Sequence, residues 1–185
     1  MSSSSRSNRF VRGALALALA GAVTAPAGAD DSQPSWMKVD AAKKSVHFDI
    51  QMAENGDNGT LNFNGYAHGA MTITVPLGWA VAMKVTNAGA GAIPHSLEII
   101  AQSEAIPAQG IQPPAFDGAE TINLLNGLGV GKSDEVDFTA STAGKYWIFC
   151  GVPDHGIGGM WDYLVISATA TAPSVTFAKA DPPAH

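Results

Sequence analysis

Apolar and polar residues alternate with a period of two in several short stretches of this chain, a pattern that predicts β-strands. In the clearest stretch, residues 46–52, apolar side chains at even positions are separated by His47, Asp49 and Gln51. The further predicted strands, separated by turns rich in Gly, Pro and Asn, are residues 61–63, 71–75, 79–86, 95–102, 134–139, 146–150 and 161–168. Because no helical period is sustained, the sequence predicts an all-β protein, an antiparallel sandwich or barrel.

Three segments outside these strands are irregular. Residues 103–132 are rich in Pro and Gly, and because so long a loop inside a compact domain is usually functional or peripheral, we expect it to cover part of a sheet edge. Residues 30–43 are predicted to form an N-terminal extension. Residues 169–185 are predicted to form a C-terminal tail of low complexity. Within it, residues 175–177 could add an edge strand. The predicted domain therefore spans residues 44–168.

The first 29 residues have the three parts of a secretory signal peptide. Three arginines precede residue 13, an apolar run covers residues 13–25, and small residues occupy positions 27–29. The apolar run is too short to span a bilayer. We therefore expect cleavage, export to the periplasm or another exported compartment, and a soluble monomer with no stable membrane insertion. A retained anchor is the alternative.

Charge narrows the range of partners. Without the signal peptide the chain keeps seven basic residues against 16 acidic ones, a net charge of −9. No stretch forms a basic patch, so nucleic acid is excluded as an expected partner. A partner with a basic or neutral surface fits this charge better.

Residues 146–161 carry the only cysteine of the chain, together with a histidine and a methionine at fixed offsets. Cys150, His155 and Met160 are each separated by four residues, on a Gly- and Pro-rich loop between two predicted strands. The loop is short enough for all three side chains to point into one volume. A thiolate, an imidazole and a thioether are the ligands that copper selects when a second imidazole joins them. His95, directly after a proline at the start of a predicted strand, is the candidate for that imidazole.

Each of these residues also has a simpler interpretation. A single cysteine forms no intramolecular disulfide, and Cys150 could be a buried residue that acts as a small hydrophobe. His95 could be a surface or hydrogen-bonded residue, and Met160 could belong to the core. His47 lies on the polar face of its strand and is predicted to be exposed rather than a ligand; His68 is predicted to have a structural or surface role. The coincidence of all four candidate ligands at these positions favours copper.

Four stretches also carry a family resemblance. They are Phe63-Asn64-Gly65, residues 71–86, Pro94-His95-Ser96 and the CGVPDHGIGGMWD of residues 150–162. They resemble a cupredoxin of the sulfocyanin type, with kinship to rusticyanin, over residues 44–167. The resemblance implies an eight-stranded Greek-key β-sandwich and one mononuclear type 1 copper ion on the four ligands named above. Ser96 stands where rusticyanin also has a serine, which implies a fairly high reduction potential.

The resemblance further implies that the protein is not an enzyme but transfers single electrons between respiratory redox proteins, of the cytochrome or the oxidase or reductase type. Such transfer needs a ligand near the surface within a flat apolar patch, and His155 is predicted to hold this position, flanked by Val152, Pro153, Ile157 and Gly158–Gly159. A copper oxidase or reductase is one alternative, but the remaining histidines are too few for a second copper centre. Copper storage or delivery is another, although it favours exposed, exchangeable ligands.

Overall fold

Nine β-strands in two sheets make up the fold of the residues that the structure describes. The computed structural model describes Met1 and residues 33–178 of the 185-residue chain, so the predicted signal peptide lies outside the described residues apart from Met1. The strands are β1 (Met37–Asp40), β2 (Ser45–Met52), β3 (Met71–Pro76), β4 (Ala80–Asn87), β5 (Glu98–Ala101), β6 (Ser133–Thr139), β7 (Gly144–Phe149), β8 (Trp161–Ser167) and β9 (Ser174–Phe177), with one 3-10 turn at Asp57–Thr60. Within residues 33–178 no helix has the length and apolar character that a membrane span requires.

The two sheets pack face to face around an apolar core. One sheet has the strand order β1-β2-β4-β6 and the other β5-β7-β8-β3-β9. Alternation explains this packing: in β2 the even-numbered side chains are buried and the odd-numbered ones are partly exposed. Because successive side chains of a strand point to opposite faces, such a pattern buries one face of the sheet against the other sheet. The predicted β-sandwich is confirmed, with nine strands where about eight were expected.

Two strand pairs are parallel, a feature that the prediction of an antiparallel sandwich did not include. β2 pairs with β4, and β3 pairs with β8, each in parallel register. The chain passes from β2 in one sheet to β3 in the other and back to β4, which makes β2 and β4 neighbours that run in the same direction. The alternation of apolar and polar residues indicates which face of a strand is buried. It contains no information on which strand is the neighbour or in which direction that neighbour runs.

Both ends of the predicted domain are extended by a strand. β1 comes from the predicted N-terminal extension and pairs with β2. β9 comes from the predicted tail and pairs with β3, as the possible edge strand there suggested. Val175 of β9 is only 5% exposed, so this strand belongs to the core. The sandwich therefore reaches beyond residues 44–168 on both sides.

Two predicted strands differ from the structure. Residues 61–63 form no strand, and Phe63 takes part only in isolated bridges. The strand expected to open at His95 begins at Glu98, and His95 makes a single bridge to Leu128 instead. His95 pairs with a loop residue, and Phe63 pairs with Tyr66 of its own loop and with Met52 at the end of β2. The alternation of apolar and polar residues does not distinguish such single bridges from a continuous strand pairing.

The irregular segment 103–132 covers the outer edge of β5, as predicted. β5 is the first strand of its sheet, so one of its edges has no strand beside it. Ile99 donates its N–H to Ala119 O at 2.9 Å, and its own carbonyl accepts the N–H of Ala115 at 2.8 Å. Pairing of this kind satisfies the backbone of an edge strand and blocks further strand addition.

Candidate metal centre

Cys150 and Met160 are placed by the end of the β7–β8 pair. Phe149 and Trp161 are the last residues in register across the two antiparallel strands. Cys150 directly follows Phe149 and Met160 directly precedes Trp161, so the two lie side by side. Cys150 donates its N–H to Met160 O at 3.1 Å, and Met160 donates its own to His155 O at 3.0 Å. The short loop between the strands is thereby folded back so that its histidine faces the cysteine.

His95 is positioned by the long irregular segment. Its N–H donates to Leu128 O at 3.2 Å, and its carbonyl accepts the N–H of Leu128 at 2.7 Å. Gly127 lies against this bridge with φ +70°, and a Cβ at Gly127 would stand 2.8 Å from His95 N. Glycine is required there because the backbones approach closely in a left-handed conformation.

The structure brings together all four residues that the sequence singled out. Cys150 Sγ lies 3.5 Å from His155 Nδ1, and His95 Nδ1 lies 3.1 Å from Met160 Sδ. The ligand atoms of His95, Cys150 and His155 are all within 4.8 Å of one another. His95, Cys150 and Met160 have no exposed surface, whereas His155 is half-buried.

Ser96 contacts the sulfur of Cys150 through its backbone N–H and its hydroxyl group. Its N–H points to Cys150 Sγ at 3.4 Å, and its hydroxyl oxygen lies 3.8 Å from the same sulfur. That oxygen also accepts the N–H of Gly151 at 3.0 Å, which leaves the hydroxyl hydrogen free to point to the sulfur. Donors of this kind stabilise negative charge on a thiolate.

Burial sets the protonation of the three titratable groups. It lowers the pKa of His95 to about 4, with a further contribution from His155. It also lowers the pKa of His155 and raises that of the Cys150 thiol. The imidazoles are therefore neutral near neutral pH, which metal binding requires, whereas a metal ion would have to displace the thiol proton.

The donor atoms fit a transition-metal ion. A nitrogen and a sulfur that bind one ion at about 2.0 and 2.3 Å, with an angle of roughly 110–120°, stand about 3.5–3.7 Å apart, and Cys150 Sγ and His155 Nδ1 are 3.5 Å apart. The polar contact recorded for buried His95 Nδ1 is to a thioether, a weak acceptor that leaves this nitrogen poorly satisfied without an ion. Two imidazoles, a thiolate and a thioether are the ligand set of blue copper sites.

Comparison with known proteins agrees with this geometry. Residues 32–177 match the sequence model of the sulfocyanin (SoxE) domain. The chain belongs to the sulfocyanin family. A sulfocyanin from Sulfolobus acidocaldarius is 32% identical over 143 residues, which cover 72% of this chain and 69% of that protein.

Solved structures of an auracyanin and of rusticyanin are similar to this sulfocyanin-family chain. An auracyanin from Roseiflexus castenholzii is 23% identical with a TM-score of 0.48 and covers 65% of this chain and 96% of that one. The copper protein rusticyanin is 19% identical with a TM-score of 0.45 and covers 71% and 87%. The predicted family is confirmed, and with it an all-β fold of the cupredoxin class. Membership of this family of copper-binding cupredoxins implies electron transfer.

The other internal histidines lie outside this cluster. His47 Nε2 is 3.2 Å from Asp49 Oδ1 on the outer face of β2, and the His47 side chain is 35% exposed. His68 Nε2 is 3.1 Å from Asn58 Oδ1. The cluster found among residues 33–178 contains neither of them.

The surface around His155 differs in part from the expected patch. Ile157 is 56% exposed and Pro153 is exposed, but Val152 is only 9% exposed and Gly159 is buried. Within residues 152–159, Val152, Gly156 and Gly159 are buried between exposed or partly exposed residues, so a contiguous stretch of sequence does not become a contiguous surface.

Proposed function

We propose that this protein carries single electrons on one type 1 copper ion held by His95, Cys150, His155 and Met160. The observation that supports it most strongly is the convergence of these four side chains, with three of them fully buried. Bound copper would supply the chemistry by alternating between its singly and doubly charged states. The chain contributes a ligand set that suits both states, because thiolate and thioether are soft and imidazole is intermediate.

The surrounding backbone limits how far the ligands move. Cys150, His155 and Met160 are tied to one another by two backbone hydrogen bonds, and Ser96 bonds to the sulfur. His95 is tied to the long segment through Leu128. A site that keeps one geometry in both charge states needs little reorganisation when an electron enters or leaves, which favours rapid transfer.

Electrons would enter and leave through His155. Its ring is half-buried, unlike the other three side chains, and exposed Ile157 and Pro153 lie within two residues of it. A small apolar contact around a half-exposed imidazole suits partners that must separate after each transfer. We propose redox proteins of the cytochrome or the oxidase or reductase type as these partners, in the periplasm or another exported compartment.

Burial of the ligands favours electron transfer over copper delivery. A delivery site exchanges its ion with a partner, so its ligands must be accessible. Cys150, His95 and Met160 have no exposed surface, which suits an ion that stays in place while electrons pass.

The test is the optical and paramagnetic resonance spectrum of the copper-loaded protein. We expect an intense blue or green absorption from thiolate-to-Cu(II) charge transfer and reversible one-electron reduction. Cys150→Ser should lose the absorption, because the hydroxyl is not a comparable donor. Ser103→Ala, on the exposed part of the irregular segment, is the matched control and should keep it. A Cys150→Ser protein with the full colour would overturn the ligand assignment.

A further inference from the structure

Two polar side chains outside the four proposed ligands hold the loop that carries Met160. Asn58 lies in the 3-10 turn at Asp57–Thr60, and His68 lies in the loop before β3. Both have a left-handed backbone conformation, with φ of 49° and 55°, which is uncommon outside glycine. Within the part of the chain that the structure describes, neither residue hydrogen-bonds to a proposed ligand, so any effect on the site must pass through the loop.

Asn58 joins the two loops through its amide group. Its Nδ2 donates to Leu61 O at 2.9 Å and to Gly158 O at 3.0 Å, one hundred residues further along the chain. Because both partners are carbonyl oxygens, the amide can have only this orientation, and Oδ1 then faces His68 Nε2 at 3.1 Å. His68 Nε2 must therefore carry a hydrogen and donate it.

His68 lies directly on the backbone of Gly159. A Cβ added to Gly159 would stand 2.1 Å from His68 Cε1 and 2.2 Å from Nε2. The His68 N–H also donates to Gly159 O at 2.8 Å. Only glycine leaves room for the ring at this distance, and its φ of +101° again suits glycine alone.

This arrangement fixes the residue next in the chain, Met160. Asn58 bonds Gly158, and His68 covers and bonds Gly159, so the two peptides before Met160 are held from outside. A thioether would be a weak donor to bound copper, and its contribution tunes the reduction potential. We propose, on the basis of the copper site proposed above, that Asn58 and His68 are positioning residues that hold the Met160 thioether in the site and thereby set the reduction potential.

The test compares His68→Ala and Asn58→Ala with the wild-type copper-loaded protein. Without the contacts of Asn58 and His68, the loop can relax outward and the Met160 thioether can move away from the site. We therefore expect the reduction potential to rise and the paramagnetic resonance signal to change. Loss of groups that orient metal ligands typically lowers metal affinity by about 10–100-fold, and competition with a chelator should show such a loss. The double variant should add little to either single variant, because the two side chains act as one unit.

Two further variants separate positioning from simple structural support. His68→Gln retains a donor for Asn58 Oδ1 and should restore much of the potential. His47→Ala removes a histidine bonded to Asp49 on the outer face of β2 and should leave the potential unchanged. If His68→Ala lowers the melting temperature but leaves potential, spectrum and affinity as in the wild type, the inference is overturned. A wild-type protein without blue copper would instead overturn the proposed function.

Discussion

Glu98 is a fully buried carboxyl group at the start of β5. Its Oε2 accepts the N–H of Ile111 at 3.0 Å, whereas Oε1 has no hydrogen-bond partner among the described residues. Burial raises the pKa of Glu98 to about 7, the Ile111 N–H opposes this, and the nearby Glu120 adds to it. The folded protein therefore prefers the protonated acid below about pH 7.

This preference makes stability depend on pH. Below about pH 4.5, the ordinary value for a glutamate, the group is protonated in both the folded and the unfolded chain. Between about pH 4.5 and 7 the unfolded chain releases the proton while the folded chain keeps it, so the free energy of unfolding falls as pH rises. Glu98→Gln is neutral at every pH and should lack this fall, which amounts to about 2–3 kcal/mol.

Urea unfolding of the metal-free proteins between pH 4.5 and 8 measures the difference. Other titrating groups, such as His95, are present in both proteins and cancel in the comparison. Glu135→Gln, which removes an exposed carboxylate on β6, should show the wild-type pH dependence. A constant gap between wild type and Glu98→Gln at all pH values would contradict the assignment.

At the level of residues, the sequence identified side chains with distinctive chemistry but not those that support them. Cys150, His155 and Met160 stood out because rare ligand types occurred at regular spacing on one loop, and the structure brings them together with His95. Asn58 gave no such signal, because asparagine is common in turns and its partner Gly158 is one hundred residues away. A contact of that kind exists only after the sandwich has brought the two loops together.

At the level of elements, β9 shows how a terminal strand can close a sheet. It pairs antiparallel with β3, which would otherwise be the edge strand. Val175 is buried, and the Phe177 ring stacks on Tyr66 at 4.5 Å between centroids. Tyr66 belongs to the loop that leads to His68, so β9 also supports the part of the structure nearest to the metal-site loop.

A chain that ends after Ala172 should therefore be less stable than the full chain. Loss of the buried valine and the aromatic pair costs about 2–4 kcal/mol, or roughly 5–15 °C in melting temperature. A chain that ends after Ala178 keeps β9 and is the matched control. Thermal unfolding followed by circular dichroism compares them; equal melting temperatures would show that β9 contributes nothing to stability.

The sequence predicted strands well where one face is buried and less well where loops supply the partners. β2, β3, β4, β6, β7 and β8 were all expected close to their observed positions, because each alternates against a core. The residues of β1 were assigned to the predicted N-terminal extension, because four residues are too few to show a clear alternation of apolar and polar positions. The parallel pairs were not predicted because strand direction depends on crossings between sheets, which no local pattern encodes.

At the level of the whole molecule, charge is distributed unevenly between the two ends of the sandwich. Asn87, at the end of β4, bonds Leu128 beside His95, so that end of the first sheet faces the candidate metal centre. Residues 33–178 contain six lysines and no arginine. Lys43 and Lys44, directly before β2, and Lys145, at the start of β7, lie toward the opposite end. Lys132 lies at the same end as the candidate metal centre, because its carbonyl accepts the N–H of Asn87.

Three exposed carboxylates lie on the loops next to the candidate metal centre. Asp154 is exposed beside His155, and Glu54 and Asp57 are exposed on the loop that bonds Gly158 through Asn58. Among residues 33–178 none of these three carboxylates forms an ion pair, whereas Asp40, at the end of β1, and Asp49, in the middle of β2, pair with lysines at 3.1 and 3.2 Å. The surface around His155 therefore has a negative rim and an apolar centre.

This rim should select cationic partners at the encounter step. We predict that the reduced protein transfers electrons to the cationic oxidant tris(phenanthroline)cobalt(III) at a rate that falls several-fold from low to high salt. With anionic ferricyanide the rate should rise instead, since salt then screens repulsion. Stopped-flow mixing of copper-loaded protein with each oxidant measures both rates.

Asp154→Asn should weaken the salt dependence with both oxidants, whereas Asp40→Asn, which removes a charge at the opposite end, should leave it nearly unchanged. Both variants change the net charge by the same amount, so a difference between them isolates the position of the charge from its total. If the two variants behave alike, only the overall charge matters and His155 has no special role at the encounter. If Asp154→Asn alone responds, electrons leave through the imidazole beside it, because charges more than about 10 Å away are largely screened at 0.1 M salt.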